Sequence, residues 1–288
     1  MKYFFLTAVM FVGFKTILYA QSASTPLTAL QTIELIKQHV QPQWFDTRTD
    51  TIITGNGSDT LKGIATCMFI DMNILQQAVA ANCNMIITHE PTFYNANDNP
   101  PDFMKEDKVL KEKMDYINEH RLIIFRFHDN AHRNRPDQVM QGLADDLGWK
   151  VVNQSPWILE VKKQKLSALA KNLEKHFNTE GIRVTGDPDL EISRLALVPG
   201  LAPTLQMHLG ALQRDDVDAI LVGEAREWED YIYARDATEQ GKKKAAIFIG
   251  HMHSEEPGMK YCADWLQTFI KNVPVRFLKD ENFWWSPK

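Results

Sequence analysis

Ala219-Ile220-Leu221-Val222-Gly223-Glu224 and, after a polar interval, Ala245-Ala246-Ile247-Phe248-Ile249-Gly250-His251 are the stretches that decide the fold. Each is a brief apolar run that breaks off at a glycine followed by a polar residue. Such runs read as buried strands. The residues between them, Trp228 to Thr238, read as a helix. Strand, helix and strand in that order build a parallel sheet with helices on its faces.

The same rhythm runs outward in both directions. In the first half, Gly63 to Ile70 predicts a strand and Asn73 to Ala81 an amphipathic helix. Met85 to Thr88 predicts a strand ending at His89, and the Pro- and Asn-rich residues Pro91 to Phe103 a loop. Met104 to His120 puts Leu110, Met114 and Ile117 on one helical face. Leu122 to Phe127 predicts a strand ending at His128, and Asp137 to Leu147 a helix stopped by Gly148. In the second half, strands are expected at Trp157 to Val161, Ile182 to Val184 and Leu195 to Val198, with helices at Leu166 to Phe177 and Leu201 to Leu212. A helix from Tyr261 to Ile270 and a closing strand from Val273 to Leu278 complete the chain. The expected architecture is α/β, with two similar lobes of mixed, largely parallel sheets flanked by helices. Residues 21–150 form the first lobe and 151–288 the second, which returns to complete a site between them. Ile86 to Glu90 resembles Leu221 to Glu224, and Phe125 to His128 resembles Phe248 to His251, as an internal duplication would produce.

Of the 288 residues, 44% are hydrophobic and 24% charged, as in soluble globular proteins. A net charge of −5 offers no general attraction to nucleic acid. Lys162-Lys163 and Lys242-Lys243-Lys244 read as solvated surface. Residues 1–20 have the layout of a secretory signal: Lys2, an apolar run from Tyr3 to Phe14, and Ala20 before Gln21. The chain is therefore expected to be exported, periplasmic or secreted, with no stable membrane span after the signal is removed. Cys67, Cys83 and Cys262 form no CxxC pair and read as buried apolar residues, although one disulfide is open to them. Gly55 to Asp59 reads as a tight hairpin turn rather than a phosphate cradle, and Trp284-Trp285 as core.

Chemistry gathers at the strand ends. His89, His128, His132 and His251 all stand within a few residues of them beside acids, with His253 close by. His39, His120, His176 and His208 lie scattered on expected helices and carry no such signal. Pro91 keeps Glu90 out of the helical region, Asp129 and Asn130 suit a turn, and Ser254 suits the cap of a helix that starts with Glu255 and Glu256. Imidazole and carboxylate together suit zinc, iron, manganese or nickel. Three imidazoles and two carboxylates are few for two ions, which leaves positions for water and so for hydrolysis.

At these residues the chain resembles the Nif-three-like dinuclear metal-centre family, also called the GTP cyclohydrolase I type 2 family. That family shows a His-His pair, a His-x-x-x-Asp segment, a Gly-Glu and a C-terminal Gly-His-x-x-x-Glu. Here they stand as His89-Glu90, His128 to His132, Gly223-Glu224 and Gly250-His251 to Glu255, within a similarity from Leu27 to Trp285. Glu90 and His132 depart from the pattern by exchanging one imidazole and one carboxylate. The resemblance implies two divalent metal ions per chain, zinc, iron or manganese, held by His89, Glu90, His132, His251 and Glu255. It implies a homohexamer and a small-molecule substrate, with Glu224 expected to support a ligand or transfer protons. The expected function is metal-dependent hydrolysis. The same ligands would also serve a protein that stores, senses or delivers metal, or a scaffold that has lost its ions.

Overall fold

Ile64–Cys67, Met85–Thr88 and Ile123–Arg126 are buried at every position, as central strands covered on both faces must be. The computed structural model describes residues 26–201, 204–281, 284, 285 and 287, and the expected signal at 1–20 lies outside them. In the first half the elements are α1 (Ala29–His39), β1 (Ile52–Thr54), β2 (Ile64–Cys67), α2 (Met72–Ala80), β3 (Met85–Thr88), α3 (Lys108–Glu119), β4 (Ile123–Arg126), α4 (Asp129–Arg133) and α5 (Gln138–Leu147). In the second they are β5 (Lys150–Gln154), β6 (Trp157–Lys165), α6 (Leu166–Phe177), β7 (Arg183–Thr185), β8 (Glu191–Leu201), α7 (Leu205–Leu212), β9 (Ala219–Glu224), α8 (Ile232–Glu239), β10 (Ala245–Phe248), α9 (His251–Phe269) and β11 (Val275–Phe277).

Two sheets form. The first runs β1-β4-β3-β2-β11 and the second β5-β6-β8-β9-β10-β7. In each, three consecutive strands are parallel, and a short antiparallel strand lies against the last of them: β1 on β4, and β7 on β10. The order β1-β4-β3-β2 is therefore repeated as β7-β10-β9-β8. Cys67, Thr88 and Arg126 are in register at the carboxyl ends of the first sheet, and Val198, Val222 and Phe248 at those of the second. Ligand sites in such sheets lie beyond that edge.

Helix α9 joins the two. It touches β2 and β11 of the first sheet and β8 and β9 of the second. Its Met259, Cys262, Ala263 and Leu266 pack with Ile64, Met85, Ile87 and Phe125. Each fully buried aliphatic side chain of this kind contributes roughly 2 kcal/mol. Helices α5 and α9 come close because glycine meets glycine: a Cβ on Gly142 would lie 2.6 Å from the Gly258 Cα.

Several local expectations are corrected. Helix α9 starts at His251, and Ser254 does not cap it; its hydroxyl donates to the His251 carbonyl and accepts from the Gly200 N–H. Asp129 and Asn130 begin helix α4 because a distant carboxylate, Asp50, caps that segment. Residues 55–59 turn, but make no hairpin, since β1 pairs with β4 and not β2. On α3 it is Lys113 that joins Leu110 and Ile117 in the interior, donating to the Ile70 and Thr92 carbonyls, while Met114 is exposed. Trp284 and Trp285 are exposed rather than core. The three cysteines are buried and unbridged. Among the described residues, no helix is long and apolar enough to cross a membrane.

Candidate metal centre

His89 follows β3, and its position at the carboxyl edge buries it completely. Its Nδ1 lies 3.3 Å from the Phe127 carbonyl, an oxygen that can only accept, so Nδ1 carries the proton. Nε2 is left with a lone pair and has no hydrogen-bond partner. It faces the Glu255 carboxylate at 3.5 Å. Burial holds the imidazole well below its ordinary pKa, and His128, His132 and His251 push the same way. A neutral nitrogen lone pair aimed at a carboxylate oxygen is unfavourable unless a cation sits between them.

Two more imidazoles are arranged likewise. His128 Nδ1 lies 2.8 Å from Asp129, and His132 Nδ1 lies 3.2 Å from Asp137. Carboxylates on the outer nitrogen fix the tautomer and turn the other nitrogen inward, as around bound metals. The rings of His128 and His132 stand 4.4 and 5.0 Å from that of His89. One nitrogen from each can be chosen so that all three lie within 4.8 Å of one another. Burial opposes the charge on His132, but Asp137, Glu255 and Glu90 outweigh it and raise its pKa to about 9.

Asp50 sets this geometry from afar. Its Oδ1 accepts from the His128 and Asp129 N–H groups at 2.7 and 3.0 Å. Its Oδ2 accepts from the Asn130 N–H and side-chain amide at 2.8 and 2.6 Å. One buried carboxylate thus caps α4 and fixes the backbone at His128, where the helix that carries His132 begins.

Glu90, Glu255 and His251 meet next to His89. The His251 Nε2 is 3.0 Å from Glu255 Oε2 and 3.3 Å from Glu90 Oε1, and its Nδ1 is 3.4 Å from Glu224. His251 and Glu255 converge because they stand four apart on α9. Burial works against the imidazolium, yet Glu224, Glu255 and Glu90 raise its pKa to about 12. Burial would raise Glu90, but the His251 hydrogen bond and the charges of His251, His128 and Arg126 hold it below the ordinary range. Glu224 is lowered by its hydrogen bond to His251, against an opposing effect of burial. Arg126 braces the turn by donating to the His89 carbonyl and lying 3.4 Å from Glu90. Gly200 makes room for the carboxylate, since a Cβ there would overlap Glu255 Oε1.

All six residues singled out in the sequence, His89, Glu90, His132, Glu224, His251 and Glu255, therefore gather in one place. His89, Glu90 and Glu255 form a second candidate metal group beside His89, His128 and His132. The sequence reading left His128 out of its expected ligand set, although His128 belongs to a candidate metal group, and did not single out Asp137, Arg126 or Asp50. The adjacent Asp129 and the nearby Asp137 are visible partners for histidine; nothing local marks Asp50.

The family model described as Duf34/NIF3 (NGG1p interacting factor 3) matches residues 29–282. A Clostridium acetobutylicum protein named GTP cyclohydrolase 1 type 2 homolog is 24% identical over 221 residues, 72% of this chain and 77% of that protein. The crystal structure of a Staphylococcus aureus protein superposes with a TM-score of 0.72 at 16% identity, over 91% of this chain and all of that one. A Bacillus cereus protein described as related to NIF3 gives 0.65 at 13% identity, over 88% and 97%. These two structures are alike in fold.

Proposed function

Because the chain belongs to the Duf34/NIF3 family, we propose that its histidine–carboxylate cluster holds two divalent metal ions and hydrolyses a small molecule. The observation that carries this reading is the neutral, unpartnered Nε2 of His89 facing Glu255. His89, His128 and His132 would hold one ion, and Glu90 and His251 the other, with Glu255 facing both His89 and His251 and available to either. Glu90 Oε1 lies 3.7 Å from His128 Nε2 and 3.3 Å from His251 Nε2, so it can serve both. Mixed imidazole and carboxylate suits zinc, iron or manganese. Ions of this kind polarise an acceptor and acidify water when bound.

The chain's own groups do the rest. Asp129 and Asp137 keep the Nδ1 protons of His128 and His132 in place, so neither ring can turn away. Glu224 holds the Nδ1 proton of His251 and is half-exposed on the open side, where it can take up a proton from water or return one to a leaving group. The relative's cyclohydrolase name supports the reaction class.

Metal analysis of the purified protein tests the reading. About two equivalents of transition metal per chain are expected, falling to one or fewer in His128→Ala and in Glu255→Ala. Turnover on phosphoesters, cyclic amidines or peptides should fall with the metal. Full activity in both variants would overturn the proposal.

A further inference from the structure

Lys113 reaches the interior from α3 and is only 2% exposed, yet the chemistry read from the histidine–carboxylate cluster makes no use of it. Its amine donates to the carbonyls of Ile70, just after β2, and Thr92, just after β3. The Tyr94 ring lies 4.9 Å from the same nitrogen. Burial lowers the amine to about 8, while Asp71, Asp98 and Cys67 act to raise it, so at neutral pH it stays charged. Taking a charged amine out of water is costly, and methionine would fill the space without that cost.

The segments that the amine joins flank Glu90. The Glu90 N–H donates to the Met68 carbonyl, and two residues further along each segment Lys113 bridges Ile70 to Thr92. No helix or strand begins again until Asp102, so contacts of this kind, rather than secondary structure, hold the loop after Glu90. Asp98 accepts from the Thr92 and Phe93 N–H groups. The Arg126 guanidinium lies 3.5 Å from Asp98, donates to the Ala96 carbonyl and lies 3.4 Å from the Glu90 carboxylate. One unbroken set of contacts therefore runs from Lys113 through Thr92, Asp98 and Arg126 to Glu90.

We propose that Lys113 is a positioning residue for Glu90: it clamps the loop that follows to the segment after β2, and so holds the carboxylate in the metal centre. The inference rests on the metal-binding reading above. The partners of Lys113 are main-chain oxygens and a ring rather than candidate ligands, so it acts through the loop. Its effect falls on metal affinity, because a carboxylate already held in place loses less freedom when an ion arrives.

Hydrogen exchange and cobalt titration of the full chain test this. In metal-free Lys113→Met, amides at 92–98 should exchange about tenfold faster than in the parent, with the central strands unchanged. Cobalt should bind this variant about tenfold more weakly. In a Glu90→Gln background the same substitution should weaken cobalt less than about twofold, since the carboxylate it serves is gone. A merely structural role would weaken both backgrounds alike. Should Lys113→Met fail to fold, Asp98→Asn, which loosens the same loop from Arg126, carries the same measurements. Unchanged exchange at 92–98, or cobalt affinity lowered equally with and without Glu90, would overturn the positioning role. A parent chain that binds no cobalt, with exchange still raised in the variant, would overturn the metal reading and leave the clamp standing, so the two failures are distinguishable.

Discussion

Asp50 satisfies four donors at the start of α4 with one buried carboxylate. Asp50→Ala would strand those donors, and the expected loss is about 3 kcal/mol in denaturant unfolding, with metal content falling alongside. Retention of both would show that α4 is held by other contacts. Asp280 acts in the opposite sense. Burial, then the Glu256 and Asp71 charges, raise its pKa to about 7, although the Phe69 and Met68 N–H groups oppose this. A raised folded pKa means that the folded chain holds this proton more tightly than the unfolded one. Its stabilising effect is full below the unfolded value, near ~3.9, and is lost as pH rises through about 7. Asp280→Asn should therefore gain in melting temperature relative to the parent between pH 5 and pH 8. A constant difference across that range would contradict the assignment. His89, His251 and Glu255 were legible in the sequence because strand ends announce themselves through apolar runs. Asp50 was not, because the backbone it caps lies 78 residues away and only the β1–β4 pairing brings the two together.

At the scale of elements, most strands of the two parallel triplets were readable, and their buried runs explain why. The edge strand β5 escaped notice: its residues are exposed or half-buried, so no apolar pattern marks it. Helix α9 was mistaken for something shorter. Pro257 lies inside it and Gly250 precedes it, and both usually mark boundaries. The long form survives because Met259, Cys262 and Leu266 are buried in the first lobe while the first turn stays with the second. Its crossing with α5 depends on Gly142 and Gly258. Gly142→Ala should cost about 2 kcal/mol by forcing the helices apart, measured by chemical denaturation. A cost below about 0.5 kcal/mol would mean that the crossing yields freely.

Across the whole molecule the repeated order of strands places two carboxyl edges beside one helix, and the side chains of the candidate cluster come from both. That repetition was visible in the matching strand ends at 86–90 and 221–224, and at 125–128 and 248–251. The segment at 1–20 is proposed to direct export, so the mature chain should begin at Gln21 when its intact mass is measured. A mass that retains residues 1–20 in the exported fraction would refute this. Strand β11, at 275–277, completes the first sheet only after the chain has passed through the second. The groups spanning residues 89 to 255 therefore cannot be assembled from the first 150 residues alone. Truncation upstream of α9 would leave the first sheet without its β11 edge and His89 without Glu255, so neither half is expected to carry the whole candidate cluster by itself.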